Sequence, residues 1–294
     1  MQTGQVEYTA QVMPRDTRTG MIFADKLEAS AVNIKDIIRF LPEISIISPD
    51  SGYLTGLNRI PVAFNMKDKG DPIANVRVYV NDKLVSQDIG SLTIHGDKAS
   101  CEVSLVPGRN TIRAVVISGK GYQSNPSEIG VTCTGSAAAS RFFLISIGND
   151  RYKNPAYNLN YAVADATAFT SQISRIVGNM FKSTQIFTYC DENARHDSIA
   201  AGFRKIAFMA QPQDVFILFY AGHGVMSEGS PDVPKDFYLA LNRVTHLYGR
   251  DDQLQSEGIS AAELRELCRL IPAQKQVVFL DACQSGAAIV LTLI

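Results

Sequence analysis

A histidine and a cysteine, each in a glycine-containing run, are the side chains of this sequence best suited to covalent chemistry. His223 lies in the run YAGHG, and Cys283 lies in the run DACQSG. Imidazole accepts a proton near neutral pH, whereas a free thiol is mostly protonated below its pKa of roughly 8.5. A histidine paired with a cysteine therefore makes a usable nucleophile. We expect the backbone N–H groups of Gly224 and Cys283 to face a developing oxyanion.

Both residues follow apolar runs that predict buried strands. The run VFILFY begins at Val215 and precedes His223, and the run QVVFL begins at Gln276 and precedes Cys283. Continuous apolar runs are typical of parallel strands that are covered on both faces. Reactive groups of such sheets gather where the strands end, at the carboxyl edge. The sequence therefore predicts that His223 and Cys283 meet at one edge, on neighbouring strands.

The rest of the sequence from Arg141 alternates strand and helix patterns. The run FFLISI from Phe142 and the run QIFTY from Gln185 predict two further strands. Two helices are predicted by apolar residues at helical spacing: Ala162, Ala166, Phe169, Ile173 and Ile176 before Gly178, then Ile199, Phe203, Ile206 and Ala210 before Pro212. A third helix begins at Ser260, which forms a capping box with Glu263. The pattern predicts an α/β fold with a parallel sheet and helices on both faces.

The pattern of residues 44–133 predicts an antiparallel β-sandwich before this region. Short β-branched runs alternate inward and outward positions, as in Val76, Val78 and Val80, and turn residues separate them. The small side chains of residues 134–140 indicate a linker, and the α/β domain is predicted over residues 141–294. Residues 1–43 are not assigned a fold beyond a short helix near 34–41. Cys101 and Cys133 are interpreted as two separate buried thiols rather than a disulfide.

Composition narrows the function classes. The chain has 294 residues with a formal net charge of −1, so it lacks the clustered cations of a nucleic-acid-binding protein. The five cysteines form no CxxC pair, which disfavours a disulfide scaffold and a common zinc site. No signal sequence and no apolar run of membrane-spanning length is present, so we expect a cytoplasmic protein without a membrane partner. His95, His196 and His246 are interpreted as surface residues.

The two chemical motifs together resemble the caspase-like cysteine peptidases, most closely the metacaspase and bacterial orthocaspase branch. The run NLNYAVADA from Asn158 is similar to the first helix of that branch, and the sandwich resembles the Ig-like module joined to bacterial members. The resemblance covers residues 141–286. It implies a caspase-type fold with Cys283 as nucleophile, His223 as general base, and a protein or peptide as substrate.

The resemblance also implies a substrate preference. Asp281 stands two residues before the cysteine, where caspases proper carry glutamine, and Asp165 matches a second aspartate of the metacaspase branch. Both imply cleavage after Arg or Lys, and an anionic pocket wall predicts the same by charge complementarity. We expect no cofactor. Calcium is the alternative, because Asp236, Asp251 and Asp252 fall in the loop region where calcium-dependent metacaspases place acidic ligands.

Two other functions stay open. The chain ends at Ile294, soon after Cys283, whereas family members continue into further strands. A truncated or inactive homologue that serves as a regulatory or scaffold module is one alternative, and a thiol-dependent transferase or hydrolase on a similar sheet is the other. With fewer strands the last predicted strand presents an open edge, so we expect residues 287–294 to cover it or the chain to self-associate.

Overall fold

The computed structural model describes residues 41–86, 92–136 and 139–283. All of these ranges fall within one compact unit. The helix predicted near residues 34–41 lies almost entirely outside the described residues, as does the segment 287–294. None of the described helices is long and apolar enough to cross a membrane.

The first described part is a sandwich of two sheets. Its strands are β1 Glu43–Ser48, β2 Tyr53–Thr55, β3 Arg59–Lys67, β4 Ile73–Val80, β5 Lys83–Ser86, β6 Thr93–His95, β7 Lys98–Ser104, β8 Gly108–Ser118 and β9 Ser127–Cys133. One sheet has the order β1-β3-β7-β6 and the other has the order β2-β9-β8-β4-β5. All pairs are antiparallel except β2 with β9, which is parallel and departs from the purely antiparallel expectation.

Alternation along the strands builds the sandwich core. Val76, Val78 and Val80 of β4 are fully buried. In the register with β8 they lie opposite Val116, Ala114 and Ile112, which are buried as well. Alternate side chains of a strand share one face, so the inward row of each strand packs against the other sheet.

The second described part is an α/β domain. Its elements are β10 Phe142–Gly148, α1 Ala162–Val177, β11 Thr184–Cys190, α2 His196–Met209, β12 Val215–Ala221, β13 Gly224–Met226, β14 Phe237–Leu239, α3 Asp251–Glu257, β15 Ile259–Ser260, α4 Ala261–Leu270 and β16 Lys275–Asp281. The main sheet is parallel in the order β11-β10-β12-β16. The small antiparallel sheet β13-β14-β15 is an addition that the sequence patterns do not predict. Within the described ranges β16 pairs only with β12.

Helices cover both faces of the main sheet, as predicted. Helix α1 packs through Phe169 and Val177 on one face, and α2 and α4 pack on the other through residues such as Phe203 and Leu264. One detail of the predicted helix face is wrong, because Ile176 is 63% exposed. Val177 takes its place, since the contacting stripe advances by four residues from Ile173 and not by three.

The capping box at α4 is half formed. The Ser260 hydroxyl accepts from the Glu263 N–H at 3.0 Å, which confirms the predicted N-cap. The Glu263 carboxylate instead meets Nε2 of His196 at 2.8 Å. His196, expected to be a plain surface residue, therefore joins the start of α2 to the start of α4.

The sandwich contacts the connection between α4 and β16 directly. Nζ of Lys83, a residue that is only 3% exposed, donates to the Cys268 carbonyl at 2.9 Å. Nδ2 of Asn81 donates to the Gln274 side chain at 2.7 Å, and Nε2 of Gln274 donates to the Ser104 carbonyl at 2.9 Å. These three bonds tie the sandwich to the segment from which β16 begins.

Candidate active site

The two strands that precede His223 and Cys283 are hydrogen-bonded neighbours. Ala221, the last residue of β12, lies opposite Asp281, the last residue of β16. Beyond them the Gly222 N–H donates to the Asp281 carbonyl at 3.2 Å. Strands β12 and β16 run in the same direction, so His223 and Cys283 both lie beyond the carboxyl edge of the sheet. The sheet order changes direction between β10 and β12, which is where such sheets form a ligand crevice.

The His223 ring is oriented by a main-chain carbonyl. Nε2 lies 2.9 Å from the carbonyl oxygen of Tyr157, and the ring packs against Tyr152 with centroids 5.1 Å apart. A carbonyl oxygen only accepts hydrogen bonds, so in the neutral ring Nε2 carries the proton. Nδ1 then holds the free lone pair and is the atom able to act as a base.

The His223 main chain is held by two tyrosine hydroxyls. Its N–H donates to Oη of Tyr152 at 3.0 Å, and its carbonyl accepts from Oη of Tyr220 at 2.8 Å. The carbonyl also accepts from the Ala240 N–H at 2.9 Å. Both tyrosines are buried, and burial raises the pKa of each above its ordinary value.

Gly224 lies against the cysteine loop. A Cβ added at this position would lie 2.7 Å from ring atoms of Phe237 and closer still to the carbonyl oxygen of Cys283. The Ala240 N–H donates to the His223 carbonyl, and Gly224 lies opposite Leu239 in the same antiparallel ladder. Gly224 and Leu239 are therefore a non-hydrogen-bonded pair, and the Gly224 N–H points away from β14. That direction leaves the amide available to a group outside the small sheet.

Cys283 differs from the other cysteines in its exposure. All five thiols are free, which agrees with the interpretation of Cys101 and Cys133 as separate residues. Cys283 is exposed, whereas the others are buried or half-buried. Burial raises the pKa of Cys101 to about 11 and that of Cys268 to about 12. Those two thiols are therefore poor nucleophiles, and Cys283 is the accessible one.

The two aspartates expected in a substrate pocket are both exposed, on two elements that touch. Phe169 of α1 and Phe279 of β16 have ring centroids 5.2 Å apart. Asp165 lies one helical turn before Phe169, and Asp281 lies two strand residues after Phe279. Helix α1 connects the parallel strands β10 and β11, so it runs antiparallel to them. The step back from Phe169 to Asp165 and the step forward from Phe279 to Asp281 therefore both lead toward the carboxyl edge of the sheet. Each step covers about 6–7 Å. The ring contact therefore puts Asp165 and Asp281 at a similar level, toward the carboxyl edge of the sheet.

Asp150 is a functional position that the sequence patterns miss. Its carboxylate accepts from the N–H groups of Ala162 and Val163 at 2.8 and 3.3 Å and so caps α1. The Asp191 carboxylate in turn accepts from the Asp150 N–H at 2.8 Å. Tyr161, at the helix start, is not a capping residue type. No local pattern could have revealed a cap supplied from another loop.

The acidic loop residues considered for calcium have other partners. The carboxylates of Asp236 and Asp251 each accept from two backbone N–H groups. Arg250 pairs with Asp252 at 2.7 Å and lowers the pKa of that carboxyl to about 2. In the part of the chain that the structure describes, no three metal-ligating side chains cluster.

Comparison with known proteins gives the family. The family model of the caspase domain matches residues 141–292, just over half of the chain. No curated protein matches the chain significantly.

Solved structures show only weak likeness. Fibronectin(III)-like modules of Clostridium thermocellum CbhA share 15% identity over 33% of this chain and 48% of theirs, with a TM-score of 0.29. A Geobacter sulfurreducens protein shares 21% identity over 49% of this chain and 50% of its own, with a TM-score of 0.38. This chain thus spans about half the length of both, and TM-scores this low fix no fold. The family model covers the site-bearing domain itself, and by that match the chain belongs to the caspase family of cysteine peptidases.

Proposed function

We propose that this chain is a cysteine endopeptidase of the metacaspase and orthocaspase branch that cleaves proteins after Arg or Lys. Cys283 is the nucleophile and His223 is the general base. The observation that carries the proposal is the pairing of β12 with β16, after which His223 and Cys283 follow at the same edge of the sheet. The contact between the His223 ring and the Tyr157 carbonyl agrees with it. The exposure of Cys283 agrees with attack on an external substrate.

The first half of the reaction forms a thioester. Nδ1 of His223 takes the thiol proton, and the Cys283 sulfur attacks the carbonyl carbon of the scissile bond. The N–H groups of Gly224 and Cys283 stabilise the oxyanion that results. The protonated ring then gives its proton to the leaving amine as the C–N bond breaks.

The second half releases the acyl group. Nδ1 of His223 takes a proton from a water molecule, whose oxygen attacks the thioester carbonyl. The same N–H groups stabilise the second oxyanion. The C–S bond breaks, the sulfur recovers the proton from the ring, and the carboxylic acid product leaves. The Tyr157 carbonyl holds the ring through both halves and favours its transiently charged form.

The preference for basic residues rests on Asp165 and Asp281. The contact between Phe169 and Phe279 supports this role, because it brings the helix that bears Asp165 against the strand that bears Asp281 and precedes Cys283. A cationic side chain gains charge-assisted hydrogen bonds there, each worth about 1.5–3 kcal/mol. An acidic side chain meets like charge. Peptides with Arg or Lys before the cut should therefore be cleaved, and peptides with Asp should not.

The test compares matched peptides and variants. We expect Asp281→Asn to lower kcat/KM for Arg peptides by roughly tenfold or more, because it removes one charge-assisted bond. The rate at which a small uncharged reagent alkylates Cys283 should stay unchanged in that variant. Cys283→Ala should abolish cleavage. Asp197→Asn changes a fully exposed carboxylate of α2 and serves as the control.

Two results would overturn parts of the proposal. Equal cleavage of Arg peptides by Asp281→Asn and the wild type, or a preference for Asp peptides, would remove the pocket assignment and leave the dyad. Cleavage that survives Cys283→Ala would remove the nucleophile. A chain that binds Arg peptides without cleaving them would favour the regulatory homologue instead.

A further inference from the structure

His223 lies in a very short connection between two strands. Strand β12 ends at Ala221 and β13 begins at Gly224, so only Gly222 and His223 lie between them. The backbone N–H and C=O groups of so short a connection need hydrogen-bond partners outside the backbone ladder of the main sheet. Tyr152 and Tyr220 provide them, one at the His223 N–H and the other at its carbonyl.

The two hydroxyls reach the chain from different elements. Tyr220 belongs to β12 and is fully buried, and Tyr152 belongs to the loop after β10 and is 5% exposed. Both hydroxyls also lie near the Ala240 carbonyl, at 2.8 Å for Tyr220 and 3.3 Å for Tyr152. Tyr152 accepts from the His223 N–H, and the Tyr220 hydroxyl lies within hydrogen-bond distance of both the His223 carbonyl and the Ala240 carbonyl. The two hydroxyls and the two carbonyls thus form one hydrogen-bonded cluster around the main chain of His223.

Both hydroxyls stay protonated over the pH range in which a cysteine peptidase works. Burial raises the pKa of Tyr152, and it raises that of Tyr220 well above the ordinary value. A neutral phenol keeps the proton that its hydrogen bond to a carbonyl requires. The arrangement therefore holds while His223 itself gains and loses a proton.

Gly222 makes room for the hydroxyls. A Cβ at this position would lie 2.6 Å from Oη of Tyr220 and 3.1 Å from Oη of Tyr152. Neither distance is a normal contact for a carbon atom. The glycine before His223 is therefore required by the two tyrosine hydroxyls.

We propose that Tyr152 and Tyr220 are positioning residues that fix the main chain of His223 so that Nδ1 faces Cys283. This proposal rests on the proposed His223 and Cys283 dyad. The Tyr157 carbonyl restrains the ring, and the two hydroxyls restrain the backbone from which the ring extends. Loss of a hydroxyl frees one side of the connection, and displacement of a catalytic group by about 1 Å can cost up to roughly 10²-fold in rate.

The experiment removes each hydroxyl and keeps each ring. In Tyr152→Phe and Tyr220→Phe we expect kcat for an Arg peptide to fall about tenfold or more while KM stays within about twofold, because substrate contacts are untouched. The pH at which alkylation of Cys283 reaches half its maximum should move upward in both, since a misplaced ring stabilises the thiolate less. Tyr79→Phe, at a buried tyrosine of the sandwich, is the control. All assays are run well below the melting temperature of each variant.

His223→Ala separates the failure of this proposal from the failure of the dyad. If His223→Ala cleaves as the wild type does, the dyad is wrong. If His223→Ala is inactive while both Phe variants keep the wild-type kcat and alkylation profile, the dyad stands and the positioning role is wrong. If one Phe variant fails to fold, the other decides. If neither folds, the hydroxyls serve stability alone and the proposal is overturned.

Discussion

At the residue scale, the candidate site depends on groups that hold the ring and the main chain of His223. The Tyr157 carbonyl, the Tyr152 hydroxyl and the Tyr220 hydroxyl each bond to His223. Gly224 takes part through its size, because the Cys283 carbonyl and the Phe237 ring fill the space beside it. The cysteine loop and the histidine loop are therefore in contact through a residue that has no side chain.

Gly224→Ala should accordingly destabilise the fold and stop cleavage. Its Cβ would push the Phe237 ring and the Cys283 loop apart, and overpacking of this kind costs typically about 1–3 kcal/mol. Urea unfolding monitored by circular dichroism measures the change in the free energy of unfolding. Gly56→Ala is the matched control, because nothing lies within 4 Å of a Cβ at Gly56. Equal losses in the two variants would contradict the close contact.

The sequence predicts the reactive residues better than their supports. His223 and Cys283 stand after apolar runs, so strand ends alone predict their place. Tyr152 acts through a hydroxyl that bonds to the His223 main chain, and Tyr157 acts through a carbonyl that bonds to the His223 ring. Their spacing along the chain carries no sign of it, because the loop geometry depends on Asp150 and Asp191 and not on a local pattern.

At the element scale, helix α1 connects the Asp150 cap, the main sheet and the proposed substrate pocket. Its first N–H groups bond to Asp150, and its Phe169 contacts β16. Long elements such as this one are predictable because several turns repeat the same spacing. The small sheet is not, since β13, β14 and β15 span two or three residues each and show no period.

We expect Asp150→Ala to lower the stability of the protein more than Asp165→Ala does. Asp150 accepts two N–H bonds from the helix start, and loss of a cap costs about 0.5–2 kcal/mol. Asp165 is exposed in the first turn and contributes mainly to the helix dipole, at about 0.3–1 kcal/mol. Thermal melts and Arg-peptide assays of both variants test this pair. Asp165→Ala should reduce cleavage with little change in the melting temperature, and the reverse order of stabilities would refute the cap.

At the scale of the whole molecule, Lys83 makes the contact between sandwich and α/β domain depend on pH. Burial lowers its pKa from 10.5 to about 8, since the buried ammonium loses its hydration. The unfolded chain keeps the ordinary value and binds more protons between these two pH values. The free energy of unfolding therefore gains a contribution that rises with pH through that window, and below pH 8 the buried charge is a cost.

The wild type should therefore gain stability over Lys83→Met as the pH rises from about 8 to 10. We expect the difference in free energy of unfolding to change by about 1–2 kcal/mol, which urea titrations at several pH values can resolve. The other titrating groups contribute equally to the wild type and to Lys83→Met, so their contributions cancel in the difference between the two free energies of unfolding. Lys98→Met, at an exposed lysine of β7, should show no such trend. A flat difference for Lys83→Met would mean that the amine is hydrated in solution.

The same lysine bears on how freely these two halves can be recombined with other modules. The Cys268 carbonyl in the last turn of α4 accepts from Lys83 of the sandwich. The Gln274 side chain accepts from Asn81 through Oε1 and donates to the Ser104 carbonyl through Nε2. A chimera that grafts the α/β domain onto a foreign β module leaves those groups without their matched donors and acceptors, just where β16 begins. Protein engineers should therefore keep Asn81, Lys83 and Ser104 together with Cys268 and Gln274 in any such exchange.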